Sequence, residues 1–230
     1  MKILVVDDHV LIREALRGAL KELDEGAEIL EASDSRECVQ LVEQNNDLDL
    51  VLLDLTLPDR DGFSVLTELR EHHPSVSVVV MSALQDRDNV VKALDLGAQG
   101  FIPKSAQRKV ILSALRLVVA GGIYIPPQAL GGAEPTTSAT PHSALPAGRA
   151  VNPPAASPAE LGLTERQIDV LALIMRGKSN KAICRVLNLA EPTVKNHVTA
   201  ILKALKVTNR TEAVLAVTEL NWQLPDIHSA

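Results

Sequence analysis

Five short apolar runs alternate with five amphipathic stretches across the first half of the chain. The runs fall at 3–6, 27–32, 50–53, 76–81 and 100–102, and the amphipathic stretches near 9–23, 34–45, 62–72, 87–96 and 106–120. Each run is too short for a buried helix. Parallel strands need a long crossover, which a helix provides, so strand–helix alternation repeated five times predicts a parallel sheet with helices on both faces. In such a doubly wound sheet, ligand chemistry sits beyond the C-terminal ends of the strands. The residues that end the runs therefore bear most directly on function.

The first run ends in Asp7 and Asp8, the third in Asp54 and the fourth in Ser82, and the fifth is followed by Pro103–Lys104. In a parallel sheet these ends share one edge, so three carboxylates, a hydroxyl and an ammonium converge. Three close carboxylates repel one another unless a cation offsets them. All-oxygen ligands that leave positions open suit Mg²⁺, which retains water and couples to phosphate. A carboxylate beside Mg²⁺ can attack a phosphoryl group to give an aspartyl phosphate. Lys104 would then neutralise phosphoryl oxygens as a point charge, with the Ser82 hydroxyl donating to another. Asp59 and Asp61 lie in the loop at 57–62 and read as structural, Asp61 as the cap of the helix that follows.

The composition sets limits on the rest. One Trp, one Tyr and two Phe leave the cores to Ala, Val, Leu and Ile. Cys38 and Cys184 form neither a disulfide framework nor a metal cluster, and they fit a reducing compartment. The opening apolar run ends in acids, unlike a secretory signal. The longest later run, at 111–125, is broken by Ser113, Arg116, Gly121 and Gly122, and falls short of the roughly 20 apolar residues that span a bilayer. A cytoplasmic protein is expected. The net charge of −6 is unevenly placed: 1–159 carry 14 basic against 22 acidic residues, whereas 176–210 carry 8 basic residues and a single acid, Glu191. A basic patch on an acidic chain suits an anionic partner.

Between 126 and 159 lie eight of the thirteen prolines, with many Ala, Ser, Thr and Gly and no apolar period. This stretch reads as an extended, Pro-stiffened tether. Beyond it, 164–176, 179–187, 192–205 and 210–220 read as four helices. Thr164 with Gln167 is a capping-box signature, and Gly177 a helix stop. The boundaries are thus 1–122 for the α/β domain, 123–159 for the linker and 160–230 for a small all-α domain.

In the all-α part, Ile183, Val186, Leu187 and Leu189 on one helix, and Val194, Val198, Ile201, Leu202 and Leu205 on the next, recur at helical spacing. They would hold two short helices together as a helix-turn-helix. Lys195, Asn196 and Thr199 lie off this stripe on an exposed face, near the start of the second helix, where base edges are read in the major groove. Asn can pair with adenine and Lys can contact guanine. The alternative is a merely solvated helix face.

Residues 1–122 resemble the receiver domain of two-component response regulators, a flavodoxin-like fold. The matching pieces are VVDDH at 5–9, LLDLTLPDRDG at 52–62, MSA at 81–83 and GAQGFIPKS at 97–105. The resemblance implies that Asp54 is the phosphoacceptor and that Asp7, Asp8 and Asp54 handle Mg²⁺, with the Thr56 backbone carbonyl as a further ligand. It makes Ser82 the switch hydroxyl, Lys104 the phosphate-binding lysine and Phe101 the aromatic that moves inward as the hydroxyl engages phosphate. Residues 163–214 resemble the LuxR-type helix-turn-helix of the NarL/FixJ regulators, with TVKNHV and TNRTEAV as close matches. By that resemblance the recognition helix is 192–205, and Lys195, Asn196 and Thr199 face bases. Lys178, Lys181, Lys203 and Arg210 contact phosphates, and the last helix forms a dimer contact on DNA. His197 reads as a polar residue in the helix packing. Ala190 stands where the family usually has a capping Ser or Thr, and Thr199 where Lys is frequent.

The expected function is transcriptional regulation: a histidine kinase phosphorylates Asp54, and the change switches promoter binding by a protein expected to be homodimeric in its phosphorylated or DNA-bound form. An enzyme, a phosphatase or phosphotransferase using an aspartyl phosphate, is the alternative. Haloacid-dehalogenase-like enzymes need a second Asp two residues on, where this chain has Thr56, and no Walker phosphate loop is present. Action through protein contacts alone leaves the basic 176–210 stretch without a role.

Overall fold

The computed structural model describes residues 1–130 and 158–220, together with Trp222, Leu224 and Pro225. In chain order the first domain comprises β1 (Lys2–Val6), α1 (Val10–Leu23), β2 (Glu28–Ala32), α2 (Ser35–Gln44), β3 (Leu50–Asp54), α3 (Gly62–His72), β4 (Ser77–Ser82), α4 (Arg87–Asp95), β5 (Gly100–Pro103) and α5 (Arg108–Val119). All strands pair in parallel, in the order β2-β1-β3-β4-β5. These boundaries match the sequence periodicity to within one or two residues.

Alternation along the strands divides the core between the two sheet faces. Leu4, Val6, Val51, Leu53, Val78, Val80 and Phe101 pack toward α2, α3 and α4, whereas Ile3, Val5, Leu50, Leu52, Val79, Met81 and Ile102 pack toward α1 and α5. The central β3 is buried along its whole length, so its terminal Asp54 is carried into the interior. Short acidic caps start the helices at defined points: Asp34 accepts from the Glu37 N–H, Asp61 from Phe63 and Asp86 from Asn89.

The packed unit continues past residue 122, into the stretch expected to be linker. The Phe101 N–H donates to the Tyr124 carbonyl at 3.0 Å, the Tyr124 N–H donates to Gln99 at 3.1 Å, and Ala129 is buried in the core. Tyr124 adds a short parallel bridge to β5, and a 3₁₀ turn at Pro127–Leu130 packs on α4. Pro126 and Pro127 read as breakers, yet Pro127 opens a helical turn, where a missing N–H costs nothing. Of the extended tether expected over 126–159, residues 131–157 lie outside the described residues.

After a 3₁₀ turn at Pro158–Leu161 come α6 (Glu165–Met175), α7 (Asn180–Leu187), α8 (Glu191–Leu205) and α9 (Arg210–Glu219) around one core. Thr164 and Gln167 form the expected capping box. Asn188 ends α7 in the left-handed conformation (φ 51°) and so sets the turn into α8. Ala190 provides no side-chain cap for α8, whose first turn contains Glu191 and Pro192.

The helical module sits against the N-terminal edge of the sheet. Lys195 reaches the loop before β3, and Thr208, at the start of α9, lies beside Gly97 and Arg70. Gly97 adopts φ +92°, and a Cβ there would stand 2.9 Å from the Thr208 hydroxyl. Among the described residues, no helix is long and apolar enough to cross a membrane.

Candidate phosphoacceptor pocket and nucleic-acid interface

The strand ends converge as the topology requires. Asp7 (2% exposed) and Asp54 (1% exposed) close β1 and β3, and Lys104 follows β5. The Lys104 Nζ lies 2.8 Å from Asp7 Oδ2 and 2.7 Å from Asp54 Oδ2. The Lys104 N–H donates to the Ser82 carbonyl at 2.9 Å, which fixes the lysine to the end of β4. Ser82 is fully buried, and its Oγ accepts from the Leu84 N–H at 3.0 Å. Gly62 is required by the fold here: a Cβ on it would come within 2.5 Å of the Asp54 carbonyl oxygen.

Burial pushes the Asp54 carboxyl above its ordinary value, against the opposing pull of Lys104 and the Thr56 N–H. Burial also disfavours the Lys104 ammonium, but its bonds to Asp54 and Asp7 more than offset this and raise its pKa. Lys104 thus stays charged beside a carboxyl whose pKa burial raises. Asp54 Oδ1 is buried and has no hydrogen-bond partner. Asp7, Asp8, His9 and Asp54 each present a ligand atom, all within 4.8 Å of one another. An unpartnered buried carboxylate oxygen within a set of hard oxygen donors fits a divalent cation.

His9, which the strand-end pattern does not single out, also lies at this edge. Its N–H donates to Asp7 Oδ1 at 2.9 Å, and its Nδ1 stands 2.6 Å from Asp8 Oδ1. Its place in VVDDH was the available signal. Asp59 and Asp61 have the structural roles expected, Asp59 accepting from the Ser35 hydroxyl at 2.7 Å and Asp61 capping α3. Phe101 is already fully buried, in the same core cluster as Val90 and Ala93 of α4. The expected inward movement therefore has no solvent-exposed starting position.

On the helical module, Asn196 is exposed, Thr199 and His197 are half-buried, and Lys178, Lys181 and Lys203 are exposed. Two expected DNA contacts are placed differently. Lys195 is not on an exposed face: it is 3% exposed and donates to the carbonyls of Asp47 and Leu48, with Asp49 Oδ1 at 3.1 Å. Arg210 turns inward and donates to the carbonyls of Ile174 and Lys178, and burial lowers its pKa to about 10. It staples the turn between α6 and α7, whose carbonyls need donors. Helical spacing could not show either placement, because both depend on which element lies opposite.

A doubly wound sheet with this carboxylate–lysine edge, followed by a helix-turn-helix, defines the class of receiver proteins with a DNA-binding output. Residues 3–116 match the response regulator receiver domain family, and 161–217 match the luxR family of bacterial regulatory proteins. The chain is 37% identical over 224 residues to the glycerol metabolism activator of Pseudomonas putida, covering 96% of each. It is 35% identical over 215 residues to the nitrate/nitrite response regulator protein NarL of Escherichia coli, covering 94% of each. A crystal structure of a LuxR family DNA-binding response regulator from Silicibacter pomeroyi superposes with a TM-score of 0.50 at 32% identity, covering 56% of this chain and 98% of that one. The chain belongs to the LuxR-type two-component response regulators, DNA-binding regulators of transcription.

Proposed function

We propose that Asp54 accepts a phosphoryl group from a sensor histidine kinase and that this event controls promoter binding through α8. The observation that carries this reading is the asymmetry of the Asp54 carboxylate: Oδ2 is held by Lys104, and Oδ1 is buried without a partner. Asp7, Asp8, Asp54 and the Thr56 backbone carbonyl are the groups that would hold Mg²⁺, which when bound offsets negative charge on the carboxylates and the phosphoryl oxygens. Lys104 keeps one Asp54 oxygen oriented and supplies positive charge to the transferred group. Ser82, next to Asp54's neighbour Met81 on β4, can turn its hydroxyl from Leu84 toward a phosphoryl oxygen. Replacing Asp54 with Asn should abolish labelling by acetyl phosphate with Mg²⁺; persistent labelling at unchanged stoichiometry would overturn the assignment.

Asn196, Thr199 and Lys195 are the proposed base-facing residues, with Lys178, Lys181 and Lys203 on phosphates. Burial of Lys195 against the receiver supports an occluded form that cannot present α8 to DNA. Its anchor, Asp49, immediately precedes β3 and Asp54 ends that strand, about 16 Å away at the usual rise per residue. A single buried strand thus joins the two sites, and phosphorylation shifts the balance from docked to released. Homodimerisation of the released form through α9 is supported by Leu215, which is 59% exposed on that helix.

A further inference from the structure

Glu191 is the one acid in the basic 176–210 stretch, and no DNA-binding role accounts for it. In the docked arrangement it meets a second acid, Asp49 of the receiver, around Lys195. An ammonium has three donors. Lys195 directs them to the Asp47 carbonyl, the Leu48 carbonyl at 2.9 Å and Asp49 Oδ1 at 3.1 Å. Glu191 Oε1 lies 3.5 Å away, attracted by charge but buried with no hydrogen-bond partner. Asp49 Oδ2 is occupied by the Lys2 N–H at 2.9 Å.

The other charged groups nearby are committed elsewhere. Lys2 Nζ is shared by Asp47 at 3.1 Å and Glu28 at 3.4 Å. Lys181 on α7 is 4.0 Å from Asp24, with only a long-range pull on Glu191. Cys184 of α7 faces the same pair through a thiol that burial keeps neutral. One ammonium against two half-buried carboxylates leaves a net negative charge and, at the buried Glu191 Oε1, an acceptor without a donor. A single proton on one carboxyl relieves both, by hydrogen bonding to the other.

We propose that docking of the DNA-binding module takes up one proton from solvent, shared between Glu191 and Asp49, so that the occluded form is favoured by mildly acidic conditions and released as pH rises. This rests on the occlusion reading above. The electrostatics of the pair agree in direction. Burial and the neighbouring Asp49 raise the Glu191 pKa in the docked form. Burial opposes ionisation of Asp49, but bonds from Glu191, Lys195 and the Lys2 N–H outweigh it and hold Asp49 below its ordinary value. A group with a raised docked-state value stabilises docking at low pH, and that contribution disappears as pH climbs through the raised value. A depressed group stabilises docking above its ordinary range and loses that contribution as pH falls through the lowered value. Docking is therefore strongest between the two, on the acid side of neutral.

The test uses the unphosphorylated full-length chain with Cys184 replaced by Ser and a dye pair on cysteines introduced at Leu11 and Leu215, two exposed positions. The ratio of docked to released molecules, read by energy transfer, should fall as pH rises from the ordinary carboxylate range toward neutral, by at most about tenfold per unit for one proton. Glu191→Gln, whose amide can donate to Asp49 without a proton, should remain docked across the range. Asp49→Asn, which removes the charge opposite Lys195, should weaken docking at neutral pH. Docking in the parent that ignores pH, or a Glu191→Gln protein with the parent's slope, would overturn the proton uptake while leaving occlusion intact. Low transfer at every pH would overturn occlusion and the proton uptake with it.

Discussion

Lys104 and Lys195 are both ammonium groups buried between two carboxylates, at opposite ends of the same sheet. Lys104, 13% exposed, is held by Asp7 and Asp54, and all three belong to the receiver. Lys195, 3% exposed, is held by Asp49 of the receiver and Glu191 of its own helix. The first arrangement is imposed by strand pairing and persists in any folded receiver. The second exists only while the two domains are in contact, and separation returns every member to water. Enclosure of a lysine therefore means different things: at Lys104 it builds the proposed phosphoacceptor pocket, and at Lys195 it withholds a residue proposed to contact DNA.

Breaking each lysine should separate the two cases. Lys104→Met leaves Asp7 and Asp54 facing one another without relief, and should destabilise the receiver by about 3–5 kcal/mol, partly recovered by Mg²⁺. Lys195→Met should leave unfolding of either domain within about 0.5 kcal/mol, because its acids can move apart. Denaturant titration with and without Mg²⁺ measures both, and equal costs at the two sites would end the distinction.

Asn196→Ala sharpens the comparison from the DNA side. Asn196 is exposed whether or not the domains dock, so the change should cost about 1–3 kcal/mol at a specific site without altering docking. Lys203→Ala should instead weaken binding across sequences and reduce the salt slope by about one. Gel-shift titration at several salt concentrations separates the two behaviours.

The smallest effect is expected at Ala190. Ala190→Ser supplies the missing cap of α8 and should raise the melting temperature of the helical domain, through about 0.5–1 kcal/mol. An unchanged melting temperature would show that Glu191 and Pro192 already satisfy that helix end.

The receiver pocket was legible in the sequence because one rule, strand ends sharing an edge, places Asp7, Asp54, Ser82 and Lys104 together once the five runs are identified. Caps such as Asp61 and Thr164 were legible for the same local reason. The placement of Lys195 and Arg210 was not, since helical periodicity reports which face a residue occupies and not what is packed there. Tyr124–Leu130 was hidden by two prolines, whose breaking tendency conceals an edge pairing made by the single Tyr before them. Glu191 left a trace, as a lone acid among bases, but Asp49 opposite it is one of many receiver acids and carried no signal.

Binding of the full-length chain to a selected operator, with and without acetyl phosphate and Mg²⁺, tests the link between the two ends of the sheet. The account predicts that phosphorylation tightens binding by the parent protein and leaves an Asp54→Asn variant unmoved. Equal affinity of the parent in both states, or an equal response from Asp54→Asn, would contradict it.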